Sequence, residues 1–114
     1  MSQSIQDPPA DPADGNPLPL ERNTSASVTV DGIPLIIADH NGRLFAYENL
    51  CPHANETLDP QGGSLSSADG ALLRCQRHAA EFLSTTGECV SGPCLGERLR
   101  PVAIVIVDRE VYLD

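Results

Sequence analysis

A chain of 114 residues, 40% hydrophobic and only 4% aromatic, is one domain's worth, and its single modest core must rest on Val, Ile, Leu and Ala. The formal net charge of −9 argues against nucleic acid and anionic membranes, both of which select for basic surface, and suits a basic protein partner. No stretch has the apolar length of a membrane span, and Met1-Ser2-Gln3-Ser4-Ile5 lacks the basic start and apolar core of a secretion signal, so the expected compartment is the cytoplasm.

Five of the ten prolines, Pro8, Pro9, Pro12, Pro17 and Pro19, crowd into residues 1–22, together with Asp7, Asp11, Asp14 and Glu21 against the single cation Arg22. Such a segment can bury little and is expected to be a disordered acidic tail, leaving 23–114 as the folded domain. From Ser27 the pattern turns to strands. Val28-Thr29-Val30 alternates, Asp31-Gly32 marks a turn, and Leu35-Ile36-Ile37-Ala38 is a short apolar run. Asn41-Gly42 can hold the two positive φ angles of a type I′ hairpin turn, with Arg43–Tyr47 returning as the partner strand and His40 expected to be a solvated turn residue.

That strand delivers the chain into Cys51-Pro52-His53. Residues 54–70 are rich in Gly, Ser, Asp, Asn and Pro without a helical period, which predicts a long irregular connection. Irregular backbone leaves N–H groups free to point at a cofactor instead of a ladder partner. Ala71–Arg74 then leads into Cys75-Gln76-Arg77-His78, and Glu81-Phe82-Leu83 leads out toward the Thr86-Gly87 turn. Cys89 and Cys94 are read as two buried thiols, a small loop disulfide being the alternative. At the C-terminus Val102–Val107 is apolar throughout, which predicts burial on both faces, and Asp108-Arg109-Glu110 turns it back into Val111-Tyr112-Leu113. With no amphipathic helix and many short punctuated strands, the fold class is all-β.

The two Cys/His pairs carry the chemistry. Two of the four cysteines are each followed within three positions by one of the three histidines. Structural zinc sites usually take two cysteines from one turn and two histidines from another. An asymmetric two-iron centre instead takes two cysteines on one iron and two histidines on the other, and two loops that each offer Cys then His supply both.

On these boxes the chain resembles the Rieske 2Fe-2S protein family over roughly residues 24–114. The resemblance implies a sandwich of antiparallel sheets with an inserted cluster-binding subdomain, and a 2Fe-2S cluster with Cys51 and Cys75 on one iron and His53 and His78 on the other. It also implies that Ser91-Gly92-Pro93 forms a lid over that cluster. Two departures stand out: the family commonly has Gly where this chain has Asn55 and Ala79. If those glycines serve positive φ, Ala79 carries strain of about 1 kcal/mol or more. Respiratory and photosynthetic members add a disulfide between the two boxes, and the matching positions here are Glu56 and Arg77. This places the chain with the ferredoxin type, resembling the ferredoxin components of ring-hydroxylating oxygenase systems.

The function so implied is a soluble one-electron carrier, not an enzyme by itself, passing electrons from a flavin-dependent reductase to a terminal oxygenase or similar acceptor. The alternative is a non-carrier module with zinc in the same ligands or a redox-sensing cluster. High-potential relatives donate Ser and Tyr hydroxyls toward the cluster sulfurs. Ala80 and Phe82 stand at those positions here, so the expected potential lies near the bottom of the Rieske range, about −150 mV.

Overall fold

The computed structural model describes residues 18–52, 56–77 and 79–114. Most of the expected acidic tail (residues 1–17) lies outside the described residues, as do His53, Ala54, Asn55 and His78.

Among the described residues eight strands form three antiparallel sheets, and no helix occurs. The first sheet is a meander of β1 (Ser25–Val30), β2 (Ile33–His40) and β3 (Arg43–Glu48). The second joins β4 (Leu72–Arg74), β5 (Glu81–Leu83) and β6 (Cys89–Ser91) and is inserted between β3 and the last hairpin. That hairpin pairs β7 (Ile104–Val107) with β8 (Glu110–Leu113).

The expected turns form where the sequence places them. Asn41 (φ 54°) and Gly42 (φ 90°) both sit in the left-handed region, and β2 pairs with β3 from His40↔Arg43 inward. A type I′ turn matches the twist of the flanking strands, and Asn and Gly are the residues that tolerate it. The β7–β8 turn is equally tight but holds Asp108 (φ 52°) and Arg109 (φ 65°) without a glycine.

β2 is the central strand, and its side chains alternate between two cores. Leu35 and Ile37 point to one face with Val28, Val30, Ala46 and Val111, while Ile36 and Ala38 point to the other with Tyr47, Leu73, Phe82 and the cysteines. A strand covered on both faces reads as a continuous apolar run, and Leu35–Ala38 is fully buried. Leu18 and Leu20 pack against the first of these cores.

Two expectations fail. The run Val102–Val107 is not buried on both faces: only Ile104–Val107 is strand, and Val105, Ile106 and Val107 are 36%, 42% and 45% exposed. Among the described residues β7 has a neighbour on one side only, and a two-stranded sheet has one face for the core. His40 is not a solvated turn residue either. It ends β2 opposite Arg43, half-buried, with its Nδ1 shielded from solvent and without a hydrogen-bond partner.

Candidate metal centre

The second core gathers all four cysteines. Cys51, Cys75, Cys89 and Cys94 are buried in one hydrophobic cluster with Leu58, Leu65, Leu73, Ala80, Phe82 and Leu99, and none is in a disulfide. Cys51 follows β3 and Cys75 follows β4, so two different sheets aim the two boxes into the same space.

The two box loops close in the same way. The Cys51 N–H donates to the carbonyl of Glu56 at 2.7 Å, and the Cys75 N–H donates to the carbonyl of Ala80 at 2.8 Å, each spanning from residue i to i+5. Each bond closes a tight backbone ring that begins at the cysteine of its box. The residues present fit a soft metal: two buried, unbridged sulfurs in matched loops. With His53 and His78 outside the described residues, no group of three or more His, Cys, Asp or Glu among those described is arranged to hold a metal ion.

Ala79 takes the left-handed conformation (φ 57°), as expected if the family's glycine serves positive φ, while its N–H bonds back to the Cys75 carbonyl at 3.1 Å. Holding an alanine there costs about 1 kcal/mol. Ala79→Gly is expected to raise stability by about that much, read as a higher denaturant midpoint with an unchanged slope. A lower midpoint would show that the methyl group packs usefully.

Ser91-Gly92-Pro93 sits against the second box. A Cβ on Gly92 would lie 2.8 Å from Ala80 Cα, too close for any side chain, and φ there is 103°. Position 92 thus needs glycine twice over, for its backbone angle and for its approach to Ala80.

Sequence reasoning missed what ties the loops together. The Arg77 Nε lies 3.5 Å from Glu56 Oε1 and donates to the Thr57 carbonyl at 3.0 Å, so an ion pair joins the boxes at the positions where disulfide-bearing relatives carry cysteines. Gln76 adds three bonds across the same gap: its N–H to the Leu58 carbonyl, its Nε2 to the Gly62 carbonyl, and its Oε1 from the Gln61 N–H. Asn49, buried at the end of β3, accepts from the Leu58 N–H and donates to Asp59 at 2.7 Å, pinning the irregular connection from the other side. Asn and Asp ahead of a loop are turn signals in sequence, but their partners lie ten residues away and only the fold reveals them.

Two further groups are shifted by the same core. Burial pushes the Tyr47 hydroxyl up to about 12 while it donates to the Ser84 carbonyl at 2.7 Å, linking the first sheet to the second. Burial, with the hydrogen bond to Cys89, pushes the Cys94 thiol up to about 12, and Cys51 lies near enough to act in the same direction.

The family model for the Rieske [2Fe-2S] domain matches residues 14–107. Sulredoxin from Sulfurisphaera tokodaii is 36% identical over 74 residues, covering 65% of this chain and 63% of that protein. The ferredoxin component of the p-cumate 2,3-dioxygenase system of Pseudomonas putida is 29% identical, covering 73% of this chain and 66% of that protein. The alignments thus span somewhat under two thirds of the length of these curated relatives. Among solved structures, the ferredoxin of carbazole 1,9a-dioxygenase from Nocardioides aromaticivorans IC177 superposes with a TM-score of 0.65 at 26% identity, covering 82% of this chain and 86% of that one.

Proposed function

Because the chain belongs to the Rieske [2Fe-2S] domain family, we propose that it is a one-electron carrier whose cluster is held by Cys51 and Cys75 on one iron and by His53 and His78 on the other. The observation that carries this reading is the matched closure of the two box loops around two buried, unbridged cysteines. When bound, the cluster takes up and returns a single electron. The chain's own residues exclude water with Leu58, Leu65, Phe82 and Leu99, and hold the loops together through Arg77, Glu56 and Gln76. The family match favours the iron–sulfur reading over zinc in the same ligands.

The carrier works between a flavin-dependent reductase and a terminal oxygenase or similar acceptor, in the cytoplasm, and catalyses no reaction alone. Support comes from relatives named as ferredoxins of dioxygenase systems and from an acidic surface suited to basic partners. No helix among the described residues is long and apolar enough to cross a membrane. The folded domain is taken as 23–114, with Leu18 and Leu20 packed onto it from the preceding segment.

The purified protein is expected to contain two irons and two sulfides, to give the rhombic EPR signal of a histidine-ligated cluster when reduced, and to pass electrons from an NADH-driven flavin reductase to an oxygenase. Stoichiometric zinc without iron, after expression in iron-sufficient medium, would overturn the carrier reading.

Ala80 and Phe82 are both fully buried in the cysteine cluster, and neither side chain has a hydrogen-bond donor. Donors to cluster sulfur stabilise the extra electron of the reduced form, so their absence keeps the potential low, about −150 mV. Ala80→Ser adds one hydroxyl at little volume, and the potential is expected to rise. Protein-film voltammetry checks this, and a wild-type value well above zero would count against the assignment.

A further inference from the structure

Cys89 and Cys94 are the two sulfurs that the proposed cluster does not use. Cys89 opens β6 and Cys94 lies in the turn just after Pro93, yet their Sγ atoms are 3.0 Å apart. Both are buried, at 4% and 0% exposure. The Cys94 thiol donates to Cys89 Sγ, and the Cys89 thiol donates in turn to the Ser91 carbonyl at 3.4 Å. Backbone bonds set this geometry: the Cys89 N–H donates to the Glu97 carbonyl, and the Glu97 N–H donates to the Cys94 carbonyl, both at 2.9 Å. The turn is therefore folded back on β6 before any sulfur chemistry occurs.

A disulfide needs its sulfurs at about 2.05 Å, so roughly 1 Å of side-chain movement separates this pair from a bond. We propose that Cys89 and Cys94 form a two-electron redox pair that a small peroxide closes into a disulfide, fastening the segment that carries Gly92 and Pro93 onto β6. Cys89, the less buried of the two and the acceptor of the Cys94 hydrogen bond, attacks one peroxide oxygen, and its own proton passes to the departing oxygen. The O–O bond breaks and Cys89 becomes a sulfenic acid as the first water leaves. Cys94 Sγ then attacks Cys89 Sγ, the S–O bond breaks, and the second water departs. Two thiols lose two protons and two electrons, and hydrogen peroxide takes them up. Larger disulfide reagents are excluded by the burial of both sulfurs.

The bond would lock the stretch resting on Ala80 in the second box. Its effect on the cluster rests on the ligation proposed above, whereas the bond itself does not. The test separates the two. Trypsin cleaves after Arg77 and Arg98, placing Cys89 and Cys94 together in one peptide apart from Cys51 and Cys75. Cluster-loaded protein is treated with equimolar hydrogen peroxide, quenched in acid with denaturant, alkylated with N-ethylmaleimide and mapped without reductant. The expected result is a 78–98 peptide with no maleimide and two hydrogens fewer, while the peptides with Cys51 and Cys75 are alkylated. Loss of visible absorption to an iron chelator is expected to slow several-fold after oxidation in the wild type and to be indifferent to peroxide in Cys94→Ser, which keeps the volume but cannot bridge. Two maleimides on the 78–98 peptide after peroxide, or a cross-link from either cysteine to Cys51 or Cys75, would overturn the redox pair. Equal chelator rates before and after bridging would overturn the fastening role and leave the bond itself established.

Discussion

Serine at Cys75 is expected to yield a colourless protein without bound iron, whereas serine at Cys89 is expected to leave iron and sulfide at wild-type levels. All four cysteines share one buried cluster, so burial alone does not tell ligands from bystanders. The proposed ligands Cys51 and Cys75 are instead marked by their matched closed loops. The Cys75 N–H is bonded to the Ala80 carbonyl, a contact that serine preserves, so the backbone ring survives the substitution and only the sulfur is lost. A hydroxyl is a far harder and more weakly acidic ligand than a thiol, and a soft iron–sulfur centre discriminates sharply against it. Because metal binding contributes folding energy in a small domain, the serine variant is also expected to melt lower than the loaded wild type. Iron and sulfide analysis with the visible spectrum measures this. Retention of full iron in Cys75→Ser, with loss in Cys89→Ser, would move the ligand assignment to the other pair.

The second large effect is on stability. Phe82→Ala is expected to cost about 3–5 kcal/mol, a large share of the 5–15 kcal/mol typical of a whole domain. Phe82 is the bulkiest of the fully buried side chains and sits in β5, the middle strand of its sheet, opposite Leu73 on one side and Cys89 on the other. Removing its ring opens a cavity between three strands that are each only three residues long and cannot collapse onto one another without losing register. Denaturant titration of the loaded protein gives the number, and the cavity should also speed loss of the cluster. A change below 1 kcal/mol would mean that the second sheet is held by its loops and metal rather than by Phe82.

How much of this the chain discloses in advance depends on whether a signal is local. The boxes at Cys51 and Cys75 and the turn at Asn41-Gly42 are spacings of a few residues, and each was legible. So was the strain at Ala79, because φ at that position is dictated by the loop that the box must form. Leu35–Ala38 and Val102–Val107 show the limit. Both are apolar runs, and by composition the second is the stronger strand, yet the first is buried on both faces and the second is half-open. The difference lies in the number of neighbouring strands, which no window of sequence contains. β6 went unread for a related reason: three residues with two exposed side chains give no alternation to detect. The Arg77–Glu56 pair is likewise invisible until the two loops are brought together.

The open edge of β7 gives the protein's acidity a further meaning. Ile104–Val107 is β-branched and uncharged, is paired on one side only among the described residues, and ends in three consecutive side chains that are over a third exposed. Edges of that kind template the addition of another strand, and natural proteins usually guard them with a lysine or a proline within the strand. Neither is present in this one. A net charge of −9 on each copy supplies a mutual repulsion that opposes such pairing. Repulsion of that sort reaches only about 8 Å at physiological ionic strength and shrinks as salt is added. The colloidal behaviour of the protein is therefore expected to follow its counter-ions, with concentrated salt, which strengthens many small domains, promoting edge-to-edge association of this one.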